Sequence, residues 1–91
     1  MIVYLINYDP KNSEFDYTPF FDKIKSYNSW QHPLEYTWFV KVNDSVSASN
    51  LYSELKPLLS ERDRILIIKV DPVHKQGWLS RSFWDWINVE N

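Results

Sequence analysis

Apolar and polar positions alternate from the start of the chain. Ile2, Tyr4, Ile6 and Tyr8 fall on one face of an extended segment, and Val3, Leu5 and Asn7 on the other. Apolar residues on both faces predict a central strand, covered by helices on one side and by a second layer on the other. Asp9-Pro10-Lys11-Asn12-Ser13 then carries turn chemistry. Thr18-Pro19 marks a helix start, with Thr18 as N-cap, Pro19 at the first helical position and Asp16 as a competing cap. Tyr17, Phe20, Phe21, Ile24 and Tyr27 follow helical spacing and leave Asp22, Lys23 and Lys25 outward. Asn28 and Ser29 end this helix.

Two strands are predicted next, Trp30 to Leu34 and Thr37 to Val42, joined by a tight turn at Glu35 and Tyr36. Pro33 cannot donate to a ladder and belongs on an edge or at a bulge. After the turn Asn43-Asp44-Ser45, a second helix runs from about Ser47 to Leu59 with Ala48, Leu51, Leu55, Leu58 and Leu59 on one face. Pro57 inside this pattern should kink it or tighten its last turn. Asp63 to Val70 contains Ile65-Leu66-Ile67-Ile68, an aliphatic run that reads as a buried central strand. The resulting β-α-β-β-α-β order is the split arrangement of a ferredoxin-like α+β sandwich. A loop from Val73 to Gly77 leads to an additional C-terminal helix, from Ser80 or Arg81 to about Asn88. It carries Phe83, Trp84, Trp86 and Ile87.

Ninety-one residues suit one domain, spanning 1–91. With 44% apolar and 18% aromatic residues and a single glycine, the composition is that of a folded chain rather than a disordered one. Five tryptophans and six tyrosines are more than so small a core hides easily, which predicts a surface meant to be covered. The chain has no cysteine, which removes disulfides and thiolate chemistry and favours a reducing, cytoplasmic setting. The first apolar run lacks a basic leader and is too short to span a membrane. Ten basic against twelve acidic residues give a net charge of −2, which does not support nucleic-acid binding through bulk charge.

Several stretches together resemble small proteins of the SinR family. They are the strand ending in Tyr8-Asp9, the segment Ser29-Trp30-Gln31-His32-Pro33-Leu34-Glu35-Tyr36-Thr37-Trp38, and Leu55-Lys56-Pro57. Asp63-Arg64-Ile65-Leu66, Gly77-Trp78-Leu79 and Trp84-Asp85-Trp86-Ile87 extend the likeness over nearly the whole chain. That family is similar in fold to the small subunit of the CRISPR spacer-integration complex and to VapD-type toxin ribonucleases. The resemblance implies a homodimeric interaction or scaffold module in phage-defence, toxin–antitoxin or mobile-element biology, with two sheets packed face to face. It also implies that Asp9 meets its symmetry mate and holds Mg2+ or Mn2+ for phosphodiester cleavage of RNA or DNA. The chain departs from that pattern in having no arginine in its second strand and no basic cluster around Asp9 beyond Lys11.

Among the residues themselves, Asp9 is the foremost candidate for catalysis and metal binding. Two such carboxylates across a dyad suit one divalent ion, whereas one alone suits it poorly, and the alternative is that Asp9-Pro10 only starts a turn or caps the strand end. His32 shares a face with Trp30 and is the candidate acid or base, against a structural histidine with one hydrogen-bond partner. His74, beside Lys75 in a loop, has no second ligand at metal spacing. Tyr8, Trp30, Tyr36 and Trp38 are expected on the open sheet face, either stacking on bases as in a nucleic-acid-binding regulator or covered by a dimer partner. The basic-aromatic RNA-recognition signature is absent, so the interface is expected. Trp78, Trp84 and Trp86, with Phe83, form the densest aromatic cluster and a second expected partner or dimer surface. Lys23, Lys25, Arg62 and Arg64 read as solvated faces.

Overall fold

The computed structural model describes residues 1–89; positions 90 and 91, the end of the expected domain, lie outside the described residues. Four strands, β1 (Ile2–Asp9), β2 (Ser29–Leu34), β3 (Thr37–Val42) and β4 (Arg64–Lys69), form one antiparallel sheet. The helices are α1 (Thr18–Lys25), α2 (Ala48–Leu55) and α3 (Arg81–Asn88). The sheet order is β2-β3-β1-β4. The chain is therefore an α+β protein with β1 in the middle of its sheet, as the two-faced pattern of that strand predicts.

The even-numbered residues of β1 and β3 face α1 and α2. Tyr4, Ile6, Tyr8, Trp38, Val40 and Val42 pack there against Phe20 and Ile24 of α1 and Leu51 and Leu55 of α2. Cross-strand partners such as Ile6 and Trp38, or Tyr4 and Val40, keep these residues on one face. Burial of this face is the main drive for folding.

Local chemistry sets the helix ends. Asp16 Oδ1 accepts from the Thr18 backbone N–H at 3.0 Å, so Asp16 rather than Thr18 supplies the capping oxygen for α1. That hydrogen bond holds the Asp16 carboxyl below the ordinary aspartate value. Ser47 and Asn50 form a reciprocal box at the start of α2, each side chain accepting from the other's backbone N–H. Pro57 has no N–H to continue the α-helical ladder. The expected run to Leu59 therefore stops at Leu55 and closes in a 3-10 turn, Lys56–Leu58.

The structure corrects one strand. β4 is at the edge of the sheet, not at its centre, and Leu66 and Ile68 point into solvent. The aliphatic run is there because Ile65 and Ile67 pack against the core while Leu66 and Ile68 occupy the opposite face.

A single carboxylate fastens the entry to β4. Asp63 is only 5% exposed, and its Oδ1 accepts from the Lys11 backbone N–H at 2.7 Å and from the Tyr17 hydroxyl at 2.8 Å. Its Oδ2 accepts from the Ser60 N–H at 2.7 Å. Burial alone would raise this carboxyl, but hydrogen bonds from Lys11, Tyr17 and Ser60 outweigh it and hold the pKa below the ordinary value. A depressed carboxyl stabilises the fold fully above its unfolded pKa of about 3.9 and loses that contribution as pH falls through the folded value. Asp63→Asn turns one acceptor into a donor facing the Ser60 N–H. The variant is expected to lose about 1–3 kcal/mol in urea unfolding at pH 7. Its stability should also fall less steeply than the wild type's below about pH 4.

Candidate functional site

Asp9 is the last residue of β1 and lies on the sheet face opposite α1 and α2, in line with Leu5 and Asn7. Its side chain is 52% exposed and its Oδ2 is paired with Lys11 Nζ at 3.0 Å. The cross-strand neighbour is Arg64. Next to it, Thr37 Oγ1 donates to Asn7 Oδ1 at 2.6 Å, so two of the polar groups on this face satisfy each other. Among the described residues no group of three histidine, cysteine or carboxylate side chains gathers at Asp9 or elsewhere. One chain therefore brings a single, ion-paired carboxylate, which does not fit a divalent cation without further ligands.

His32 does not join Asp9. Its ring stacks on Trp38 at 3.8 Å with planes 9° apart, and Nε2 hydrogen-bonds with the Glu35 carbonyl at 3.0 Å. Trp38 belongs to the helix-covered face, so His32 and Asp9 lie on opposite sides of the sheet. A cleft of about 580 Å3 does open beside the end of β1, lined by Tyr8, Lys11, Asn12, Phe15, Tyr17 and Tyr36 among others. Among the described residues no carboxylate lines it. The Tyr8 and Tyr17 hydroxyls there titrate above the ordinary tyrosine value, chiefly because of burial, and stay protonated. The Tyr17 hydroxyl already donates to Asp63, and a cleft walled by aromatic rings suits binding better than bond cleavage.

The aromatic residues are distributed differently from the expectation of an aromatic open face. Tyr8 and Trp38 are buried in the helix-side core, against Phe20 at 5.0 Å and Phe21 at 5.7 Å respectively. The alternation along β1 and β3 separates two faces, but it does not say which one the helices cover. Trp30 and Tyr36 remain partly exposed, Trp30 against Trp38 on the helix side and beneath the Lys25 ammonium, Tyr36 edge-on to Tyr8 beside the end of β1. His74 is exposed in its loop.

α3 covers part of the second face. Ser80 caps it by accepting from the Phe83 N–H. Phe83 and Ile87 are buried, with Phe83 edge-on to Phe39 at 4.9 Å. Lys41, buried beneath the helix, donates from Nζ to the Trp86 carbonyl at 2.5 Å and stands 4.5 Å from the centre of the Trp86 ring. A cation near a helix C-terminus is favourable, although burial lowers the Lys41 pKa. Trp86 Nε1 donates to Ser29 Oγ at 2.6 Å. Trp84 packs over Gly77. Of the expected C-terminal aromatic surface, Trp86 and Trp84 are therefore engaged within the chain, and Trp78, 98% exposed, is free to meet a partner.

These contacts lie over β2 and β3, and Phe83, Trp84 and Ile87 also line a cavity with Leu5 of β1. The strip along β4 stays open, with Leu66 at 54% and Ile68 at 49% exposure beside half-buried Leu5 and Val3. Leu66 and Ile68 were not among the residues predicted for an interface. An aliphatic run reads alike in a buried strand and in an edge strand with one bare face, and only the strand order separates the two.

No family model, curated protein or solved structure matches the chain. The site must therefore be read from its own geometry. If α3 is an integral layer, Phe83→Ala costs about 3–5 kcal/mol, while Trp78→Ala stays within about 0.5 kcal/mol. Urea unfolding of the two variants checks this, and equal effects would count against it.

Proposed function

We propose that this chain is a homodimeric interaction or scaffold module built on a ferredoxin-like frame. The frame is supported by two split β-α-β units, each with an antiparallel strand between its parallel members, as the order β2-β3-β1-β4 places them. The resemblance to the small subunit of the CRISPR integration complex points the same way, toward an assembly role in defence or mobile-element biology. The observation that carries the reading is the pair Leu66 and Ile68, half exposed on the strip of the sheet face along β4 that α3 does not cover. Adjacent aliphatic side chains on an uncovered sheet are a surface that association buries.

A metal-dependent nuclease built on paired Asp9 carboxylates is the second reading, favoured by the exposed position of Asp9 at the end of β1. It is the weaker one, because Lys11 already neutralises that carboxylate and His32 lies on the other face. A nucleic-acid-binding regulator is weaker still on a net charge of −2.

Two measurements test the proposal. In sedimentation velocity the wild type is expected at twice the chain mass, and Leu66→Lys/Ile68→Lys at the chain mass with an unchanged far-UV CD spectrum. Both charges replace exposed groups, so the fold itself should lose little. In parallel, labelled RNA and DNA with Mg2+ or Mn2+ should remain uncut by wild type and by Asp9→Asn. Cleavage by the wild type that Asp9→Asn abolishes would replace the scaffold reading with the nuclease one.

A further inference from the structure

The sheet has two edges, and they are treated differently. β2 carries Pro33 and a register irregularity between Gln31 and Leu34, and α3 packs against it. Proline, bulges and covering elements are the usual guards against strand addition. Among the described residues β4 has none of these three, and its charges, Arg64 and Lys69, stand only at its two ends: Arg64-Ile65-Leu66-Ile67-Ile68-Lys69 is regular along its whole length and pairs with β1 alone.

The backbone parity of that edge follows from one hydrogen bond. The Val70 N–H donates to the Val3 carbonyl at 2.8 Å, so Val3 and Val70 form a hydrogen-bonded pair. In an antiparallel ladder bonded and non-bonded pairs alternate. Leu66 and Ile68, opposite Asn7 and Leu5, therefore spend their backbone groups on β1. The N–H and C=O groups of Ile65, Ile67 and Lys69 point outward from the sheet.

We propose that a second copy of this chain adds to that edge, β4 against β4, with the two-fold axis passing through Ile67. This rests on the dimeric-module reading above and specifies its contact. Ile67 then faces the partner's Ile67, and Ile65 faces the partner's Lys69, giving about six backbone hydrogen bonds from three bonded pairs. On the open face Leu66 lies opposite the partner's Ile68, twice by symmetry. These are non-bonded pairs, the kind in which side chains approach most closely. The four half-exposed aliphatic groups thus cover one another.

Charge selects this register. Arg64 makes no ion pair among the described residues. Centred on Ile67, it falls opposite the partner's Val70, beside the exposed partner's Asp71. Centred on Leu66 instead, Arg64 would lie against the partner's Ile68, placing a guanidinium on an apolar group. That register would also direct Lys69 at the partner's Asp63, whose oxygens are already occupied within the chain.

The pairing sets a distance as well. Each Asp9 sits three residues of strand rise and one and a half strand spacings from the axis, so the two lie roughly 25 Å apart. Paired Asp9 carboxylates and β4 pairing exclude each other.

The chain contains no cysteine, so introduced ones report alone. Leu66→Cys/Ile68→Cys should oxidise to a covalent dimer on a non-reducing gel, because a non-bonded pair has Cα atoms about 4.5 Å apart. Each single variant should stay monomeric on that gel, since like positions are about 7–8 Å apart on the diagonal. A covalent dimer from Leu66→Cys alone would move the axis and overturn this register. If no variant cross-links while the wild type sediments as a dimer, edge pairing is wrong and the dimeric module stands. A wild type that is monomeric at about 100 μM sinks both. Nitroxide labels on Asp9→Cys give an independent reading: a distance near 25 Å supports the pairing, and one under 10 Å overturns it.

Discussion

A sheet has two faces, and in this chain both are apolar over much of their area. α1 and α2 are short helices that share a core with one of those faces only. The opposite face carries Val3, Leu5, Phe39, Leu66 and Ile68, and water would meet all of them if nothing else were supplied. Most of the remaining architecture answers that constraint. α3 returns the chain across β2 and β3, with Phe83 against Phe39 and Trp86 anchored at both its carbonyl and its indole N–H. An eight-residue helix does not reach across four strands, since it is about 12 Å long and about 10 Å wide. The strip along β4 is what it leaves.

The polar contacts are arranged to hold the covered part in place. Asp63, tied to the Ser60 amide in its own turn before β4, reaches two points of the β1–α1 connection, Lys11 and Tyr17, more than forty residues away in sequence. Such a buried carboxylate adds less net stability than its short distances suggest, because its desolvation is charged against the hydrogen bonds. Its larger effect is on geometry: it places the start of β4 beside the end of β1, where Asp9 and Arg64 face each other. Lys41 serves the other layer in the same way, its ammonium fixing the end of α3 over β3 while its stem lies under the helix.

How much of this was legible in the residues differs from element to element. Strands and helices follow closely from periodicity and punctuation: Pro57 ends α2 with a tightened turn, Ser80 begins α3, and Thr37 to Val42 is a strand as its composition requires. Facing was harder to read. Tyr8 and Trp38 stand in alternating strands, and alternation has no sign, so an aromatic face can equally be the core or the open side. In β4 the run Ile65-Leu66-Ile67-Ile68 reads as buried on both sides because it carries no polar residue to mark its bare face. Asp63 gave no signal at all. Its partners are two backbone amides and a distant tyrosine, and none of them forms a motif with it.

The same geometry bears on what Asp9 is able to do. A lone carboxylate at a strand end becomes a metal site only if a second copy delivers another one, so its chemistry depends on where the copies meet. The exposed aliphatic groups lie on β4, outside the β1 strand end, and the outward amides of Ile65, Ile67 and Lys69 lie there too. In the proposed dimer, burying the exposed aliphatic groups and pairing the outward backbone groups both favour an axis at the middle of β4, away from Asp9. Lys11 has meanwhile supplied Asp9 with a counter-charge from two residues along the same chain. A carboxylate already neutralised locally has less to gain from a cation, and a dimer centred on Ile67 has no means of bringing two of them together. If the copies pair along β4 as proposed, the contacts that complete the sheet keep the two Asp9 carboxylates apart.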